Sequence, residues 1–330
     1  ALSFKGNVLD FSLGELAVKF GCDLVGDPKT RISFSSTLIS AKQGDLSFYS
    51  NVFYLKQLES TAASAVVIKP SDLKHCPVDA LLTDDPHIIF SKIVALLNPL
   101  PTFEPSIDAS ASISKKAIIS NSAFVGALCF IGDGVKIGEN VYIGPGCIID
   151  GHIKIGSNSR LIANVTVVNK VAIGKETMIH PGSVIGSDGF GNMKTEKGWL
   201  KIHQIGGVKI GNDVEIGSNT TIDRGSLDDT EIHDGVRLDN QIQIGHNVCI
   251  GEHTAVAASA AIAGSAIIGK RCMIAGQVGL VGHIEICDDV RINGGSVVTK
   301  SIKKPGVYSG SFAADEDKVW KKLVAKIRRL

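Results

Sequence analysis

From Ile107 to Ile185 an aliphatic side chain returns at every sixth position, through Ile113, Ile119, Val125, Ile131 and onward without a miss. An α-helix repeats at 3.6 residues and a flat strand at 2, so a strict six fits neither. It fits a solenoid whose flat faces are one hexad long, three of them closing a triangular coil of about 18 residues. The position two before each aliphatic is small or β-branched, as at Val135, Val141, Cys147, Ser159, Val165 and Thr177. A narrow prism needs this, because one large side chain per face fills its axis at native packing density. Coils stack at the interstrand spacing of roughly 4.8 Å, so positions one coil apart in an unbroken run lie one above the other.

The repeat breaks twice. A second run holds Ile210, Ile216 and Ile222, and a third extends from Ile232 to Val298. The 29 inward aliphatics of the three runs, three to a coil, make close to ten coils. The step from Ile185 to Ile210 is one more than a multiple of six, and it contains the Gly- and Lys-rich stretch Ser187–Lys201 with Phe190 and Trp199. Ile222 to Ile232 is a hexad plus four, around Gly225-Ser226-Leu227-Asp228-Asp229. Both breaks predict loops thrown out from corners, and loops on a rigid scaffold are where sites are usually built.

Residues 1–102 lack the hexad and predict a small α/β domain; residues 103–307 are the solenoid and 308–330 a helical extension. In the first domain Phe11–Val18 reads as a short amphipathic helix and Ala65-Val66-Val67-Ile68 as a buried strand. Asp84-Asp85-Pro86 marks a helix start, with a capping carboxylate and Pro in the first turn. Pro99, Pro101 and Pro105 mark the boundary. In the tail, Glu316 and Asp317 begin and Lys326, Arg328 and Arg329 end a helix whose charges suit its dipole. Its Val319, Leu323 and Ile327 form one apolar stripe. That helix can pack on its copies in an oligomer, and its basic face can dock an acidic partner.

A net charge of +1 over 330 residues supplies no global field for nucleic acid or a membrane surface. No signal-peptide pattern and no bilayer-length apolar run is present, so no stable membrane insertion is expected. Seven cysteines with no Cys-x-x-Cys pair suit a reduced, cytoplasmic protein.

A prism wall has no deep pocket of its own, so a site is expected where neighbouring prisms meet, which favours a symmetric oligomer. The candidate base lies in Asp239-Asn240-Gln241-Ile242-Gln243-Ile244-Gly245-His246-Asn247. His246 is two past the inward Ile244 and points outward; Gly264, two past Ile262, stacks one coil away, roughly 5 Å. A base with a glycine N–H nearby can address one carbonyl, the base taking the nucleophile's proton and the amide holding the oxyanion. The plain alternative is a solvated surface histidine. His283, two coils and one residue beyond His246, can reach the same cleft. The histidine spacings make a poor metal set, and no metal is expected. In the first domain Phe48, Asn51 and Tyr54 recur at three-residue spacing, an arrangement that can sandwich a planar base and read its edge. Phe48 and Tyr54 also read as ordinary core aromatics.

With these residues in hand, the chain resembles the bacterial UDP-3-O-acylglucosamine N-acyltransferases of lipid A biosynthesis, essentially end to end. The resemblance rests on Gly44–Tyr54, Ser187–Gly191, Thr220–Thr230, Asp239–Gly251, Gly282–Asp288 and Pro305–Gly310. It implies a mainly β protein, a left-handed parallel β-helix with a uridine-binding N-terminal α/β domain and a C-terminal α-helix, assembled as a homotrimer. The handedness comes from the resemblance, since right-handed crossovers are the general rule. It further implies direct transfer of a 3-hydroxyacyl chain from the phosphopantetheine of acyl carrier protein to the 2-amine of UDP-3-O-(3-hydroxyacyl)-glucosamine, with no dissociable cofactor. By the same resemblance His246 is the general base and the Gly264 N–H the oxyanion donor. His283 binds substrate phosphate or acyl oxygen, Phe48, Asn51 and Tyr54 hold the uracil, and Asp239 and Asn240 line the sugar or orient the base. Gly294-Gly295-Ser296-Val297 falls where relatives can carry bulkier residues that limit the acyl groove. Small side chains there predict a longer acyl chain, sixteen carbons or more, unless Gly294 and Gly295 merely serve a corner.

Rival readings are the sister O-acyltransferase, disfavoured by the N-terminal domain, and an acetyl-CoA-dependent sugar acetyltransferase. A metal-bearing hexad protein of the carbonic anhydrase type needs three converging histidines. A purely structural solenoid would show regular walls without the two insertions.

Overall fold

The computed structural model describes residues 9–311 and 314–329. The chain divides into two units, Ala1–Phe103 and Glu104–Leu330, with the C-terminal helix grouped with the second. In the first unit, α1 (Leu13–Phe20) begins at a capping box: Ser12 Oγ accepts the Glu15 N–H and the Glu15 carboxylate accepts the Ser12 N–H. That cap moves the helix start two residues past the expected Phe11, and Phe11–Ser12 instead pairs antiparallel with Arg31–Ile32. α1 ends at Gly21, whose φ of +65° is the left-handed turn that favours glycine. A short α2 (Leu55–Glu59) follows the helical turn Val52–Tyr54. α3 (Pro86–Leu97) carries Pro86 in its first turn, but the Asp85 side chain makes no capping hydrogen bond, contrary to the sequence expectation. A five-stranded sheet runs Asp23–Val25, Asp79–Leu82, Ala65–Ile68, Asp45–Phe48, Phe34–Ser35, antiparallel only in its first pair. Every residue of Ala65–Ile68 is buried, as its unbroken apolar run requires.

The second unit is a left-handed parallel β-helix. Its regular ladders join positions one coil apart, as in Gln243↔Ala261 and Ile244↔Ile262. Two faces merge into a 17-stranded sheet, because Ile148–Ile155 and Thr166–Ile173 run round a corner without a break; the third face is an 11-stranded sheet with one strand per coil. The hexad aliphatics from Val125 onward are buried, each worth about 1.5–3 kcal/mol relative to exposure. Ile107, Ile113 and Ile119, in the end coil, remain partly exposed. The polar residues of the inner ring are satisfied: Ser159, Thr177 and Ser183 donate to the carbonyls of Gly174, Gly211 and Gly217.

Corners take a left-handed residue, and the same corner repeats up the helix. Gln241, Ser259, Gln277 and Gly295 form one such column; Asn247, Ser265 and His283 form another. α4 (Asp317–Ile327) carries Val319, Leu323 and Ile327 on an exposed stripe. Among the described residues no helix is long and apolar enough to cross a membrane, and all seven cysteines are free.

Candidate active site

The two interruptions of the hexad converge on one side chain. At the first, Ile173 ladders onto Ile210, a step of two coils and one residue, and the excess forms an antiparallel hairpin of Asn192–Thr195 with Gly198–Lys201. At the second, Ile210 ladders onto Ile232, a coil lengthened by the Gly225–Asp229 loop. His246 follows the strand Gln243–Ile244, and its Nδ1 lies 3.0 Å from Asn247 Oδ1. Asn247 Oδ1 also accepts the Ser226 N–H at 3.0 Å, and Asn247 Nδ2 donates to the Asp228 carbonyl at 3.0 Å. A backbone N–H can only donate and a carbonyl can only accept, so the orientation of the amide is fixed. The neutral imidazole must therefore carry its proton on Nδ1, which leaves a lone pair on Nε2. The Gly225–Asp229 loop thus sets the tautomer.

The ring lies on glycine. A Cβ placed on Gly264 would stand 2.6 Å from His246 Nε2, and one on Gly189 would stand 2.7 Å from His246 Cβ. The stacking expected from the one-coil spacing holds: Ser265 N–H donates to the His246 carbonyl at 2.9 Å. The Gly264 N–H has no acceptor among the described residues. A cavity of about 700 Å³ opens in front of the ring, walled by Asp188, Gly189, Phe190, Asp223, Gln243 and Gly264. The hairpin insertion supplies much of that wall, with Phe190 82% exposed at its rim.

Asp223 is a residue that the sequence reading passes over. It is half-buried beside His246, and Gln243 Nε2 donates to its Oδ2 at 3.0 Å. Burial pushes its carboxyl up to about 6, against the attraction of His246 and the Gln243 hydrogen bond, while the Asp188 charge adds to the rise. The signal is present in Thr220–Thr230, but nothing in periodicity says that Asp223, after inward Ile222, faces the histidine. Asp188 itself is held by Lys201 at 2.5 Å.

The remaining candidates fall elsewhere. Asp239 and Asn240 line a second cavity, about 750 Å³, with His180, Glu215, Met273 and Arg291 on the other wall of the corner. Their side chains also bond the corner backbone: Asp239 Oδ2 accepts the Ala258 N–H at 3.1 Å and Asn240 Oδ1 the Ser218 N–H at 2.6 Å. Within one chain, then, they do not share a cavity with His246. His283 stands exposed in the Asn247 corner column, with its backbone N–H on the Gly264 carbonyl at 3.2 Å. Gly295 has the φ of +67° of its corner, a conformation that Gln241, Ser259 and Gln277 adopt below it. Gly294 packs over the Gly276 carbonyl. Val297 is 64% exposed on the wall above Gly279.

In the first unit Phe48 stacks on Phe90, centroids 4.7 Å apart, and tilts against His87 at 5.3 Å. Asn51 caps the turn that follows it, Oδ1 accepting the Phe53 N–H at 3.0 Å. Tyr54 is 51% exposed. Phe48 therefore behaves as the half-buried core aromatic that the sequence allows, whereas Tyr54 offers an open ring.

Residues 30–96 match the family model described as UDP-3-O-(3-hydroxymyristoyl) glucosamine N-acyltransferase, LpxD, and residues 116–151 match that of the bacterial transferase hexapeptide, six repeats. A protein of Xanthomonas axonopodis called UDP-3-O-acylglucosamine N-acyltransferase is 45% identical over 96% of this chain and 94% of its own. One of Pseudomonas putida with the same name is 47% identical over 97% of this chain and 91% of its own. Among solved structures, a UDP-N-acetylglucosamine acyltransferase of Arabidopsis superposes with a TM-score of 0.56 at 25% identity, over 62% of this chain and 71% of that one.

Proposed function

This chain belongs to the UDP-3-O-acylglucosamine N-acyltransferase family, and from that premise we propose that it transfers a 3-hydroxyacyl chain from acyl carrier protein to the 2-amine of UDP-3-O-(3-hydroxyacyl)-glucosamine. The observation that carries the reading is His246, with Nδ1–H held by Asn247 and the Nε2 lone pair lying over Gly264 at the cavity. Nε2 takes a proton from the amine as its nitrogen attacks the thioester carbonyl. The oxyanion of the tetrahedral adduct faces the Gly264 N–H. Collapse forms the amide bond, breaks the C–S bond, and returns the proton from the imidazolium to the departing thiolate. Both substrates arrive nucleophilic or activated, so the chemistry calls for no dissociable cofactor.

We assign the site to a cleft between subunits of a homotrimer. Two cavities on adjacent walls of one prism, one holding His246 and the other Asp239 and Asn240, suit a symmetric assembly in which each cleft takes one wall from each neighbour. His283 would contact the substrate phosphate or acyl oxygen from above. Tyr54 with Asn51 would hold the uracil, and Phe48 would support that surface from its stack on Phe90. Seven free cysteines support a reduced, cytoplasmic location. The direct test is acyl transfer from 3-hydroxyacyl-carrier protein, with His246→Ala beside the parent. Parent activity falling about a thousandfold in the folded variant supports the assignment. A variant that keeps its rate removes His246 as the base.

A further inference from the structure

The outward face of strand Thr230–Ile232 and its neighbour Cys249–Ile250 carries a second cluster of reactive groups, none of which lines the His246 cavity. Glu231 and Cys249 are partners in the parallel ladder, so their side chains stand one coil apart. His233 follows two residues after Glu231, on the same face, with Ile232 turned inward between them. Cys249 Sγ lies 3.5 Å from His233 Nε2, and His233 Nε2 lies 3.6 Å from Glu231 Oε2. All three ligand atoms fall within 4.8 Å of one another, and all three residues are half-buried.

We propose that Glu231, His233 and Cys249 form a binding site for a borderline-soft divalent cation of the zinc type. The donor set of one carboxylate, one imidazole and one thiolate is a zinc set. The ordinary bond lengths of about 2.3 Å to sulfur, about 2.05 Å to nitrogen and about 2.0 Å to oxygen place tetrahedral S···N and N···O edges near roughly 3.5 and 3.3 Å. The observed separations are close to those edges before any ion is added. Glu231 is prepared for this geometry: Lys209 Nζ takes Oε1 at 3.0 Å and leaves Oε2 facing the imidazole. Backbone ladder positions fix two of the ligands, so little ordering is needed on binding. A dication bound here takes the Cys249 sulfur as the thiolate, with release of the thiol proton. The fourth position of the tetrahedron stays open.

The test uses full-length protein stripped with a chelator, titrated with Zn2+ by calorimetry and with Co2+ by absorbance. One ion per chain is expected, with a thiolate-to-cobalt charge-transfer band and net proton release. Cys249→Ser removes the band and weakens zinc binding more than about 100-fold, beyond what loss of an outer-shell partner costs. His233→Gln weakens binding to a similar degree, and Cys76→Ser, which alters a thiol in the other unit, leaves it intact. No band in the parent, or a band and affinity that survive both Cys249→Ser and His233→Gln, overturns the site.

Discussion

The Asp239 and His246 cavities of the solenoid are built in opposite ways. The Asp239 cavity is made from regular coils: Leu238, Val256, Ile274 and Ile292 repeat behind it, and small residues such as Ala257 and Ala275 leave the space. The His246 cavity is made from the breaks in that regularity, one insertion walling it and the other orienting its histidine through Asn247. Regular stacking yields a long apolar groove but no asymmetry. Chemistry at one atom needs asymmetry, and here the insertions supply it. Each cavity also lacks what the other has, which is the physical argument for reading them as two halves of one cleft.

The strongest way to break that contrast is to inactivate each half separately and mix them. His246→Ala and Asp239→Ala chains should each lose more than about 100-fold in acyl transfer. Refolded together in equal amounts as random trimers, they should recover about a quarter of parental activity, because one cleft in four draws both intact walls. A mixture no more active than its parts would place both walls in one subunit's cleft or remove Asp239 from it.

Gly264→Ala is next in size. Its methyl would enter at 2.6 Å from His246 Nε2, and the ring must swing away. A displacement of about 1 Å at a catalytic group costs on the order of 100-fold in kcat, with KM little changed. Gly276→Ala, away from His246, would bring its methyl to 3.2 Å from the Ala258 carbonyl, a tight contact relieved by a shift of a few tenths of an ångström, and should cost far less activity than Gly264→Ala. Comparable losses in the two variants would erase the distinction between the walls.

Asp223 gives a pH signature to the irregular half. Its carboxyl, held up to about 6 by burial, loses its charge as the pH falls through that value. If the charge helps to stabilise the imidazolium, kcat/KM at a pH of about 5 should be about tenfold below its plateau, and Asp223→Asn should flatten that limb. Stability should move the other way. A carboxyl with a raised folded value binds its proton more tightly in the folded state, so its contribution grows as the pH drops from about 6 towards about 4. A thermal melt that falls in parallel with activity over that window would mean unfolding, not titration, causes the loss.

How much of this the sequence carries depends on whether a feature is periodic. Arithmetic alone assigns Ile244, Ile262 and Leu280 to the interior, and the His246–Gly264 stack follows from the coil length and a ladder spacing. The prism's sheets and breaks are legible for the same reason. The roles of Asn247 and Asp223 are not, because they are set by Gly225–Asp229 and Asp188–Lys201, where the chain leaves the repeat. A spacing rule cannot follow a side chain through an insertion. Cys249 escapes notice differently: histidine-to-histidine spacings test for one kind of metal set, but not for a thiol that is the ladder partner of Glu231 one coil away. In the first unit, the capping box at Ser12 is equally visible as Ser-x-x-Glu, yet the amphipathic pattern extends the helix past its cap.

The smallest expected effect tests whether the two halves share one acyl groove. Outward positions rise from Gln243, beside Asp223, through Ala261 and Gly279 to Val297, one per coil. A Cβ on Gly279 would meet nothing within 4 Å, so the column is a smooth track roughly 14 Å long at about 4.8 Å per coil. An acyl chain whose thioester sits at His246 can run along it until Val297 intrudes. Valine is shorter than methionine, and replacing it extends a flexible side chain over the track. Val297→Met should therefore favour shorter 3-hydroxyacyl donors over sixteen-carbon ones by several-fold in kcat/KM, about 1 kcal/mol for each methylene excluded. Gly295→Ala should leave chain selectivity unchanged, because Gly295 occupies the left-handed corner that Gln277 occupies one coil below. Equal selectivity in the parent and Val297→Met would separate the acyl groove from this wall and leave the Asp239 side to hold the chain.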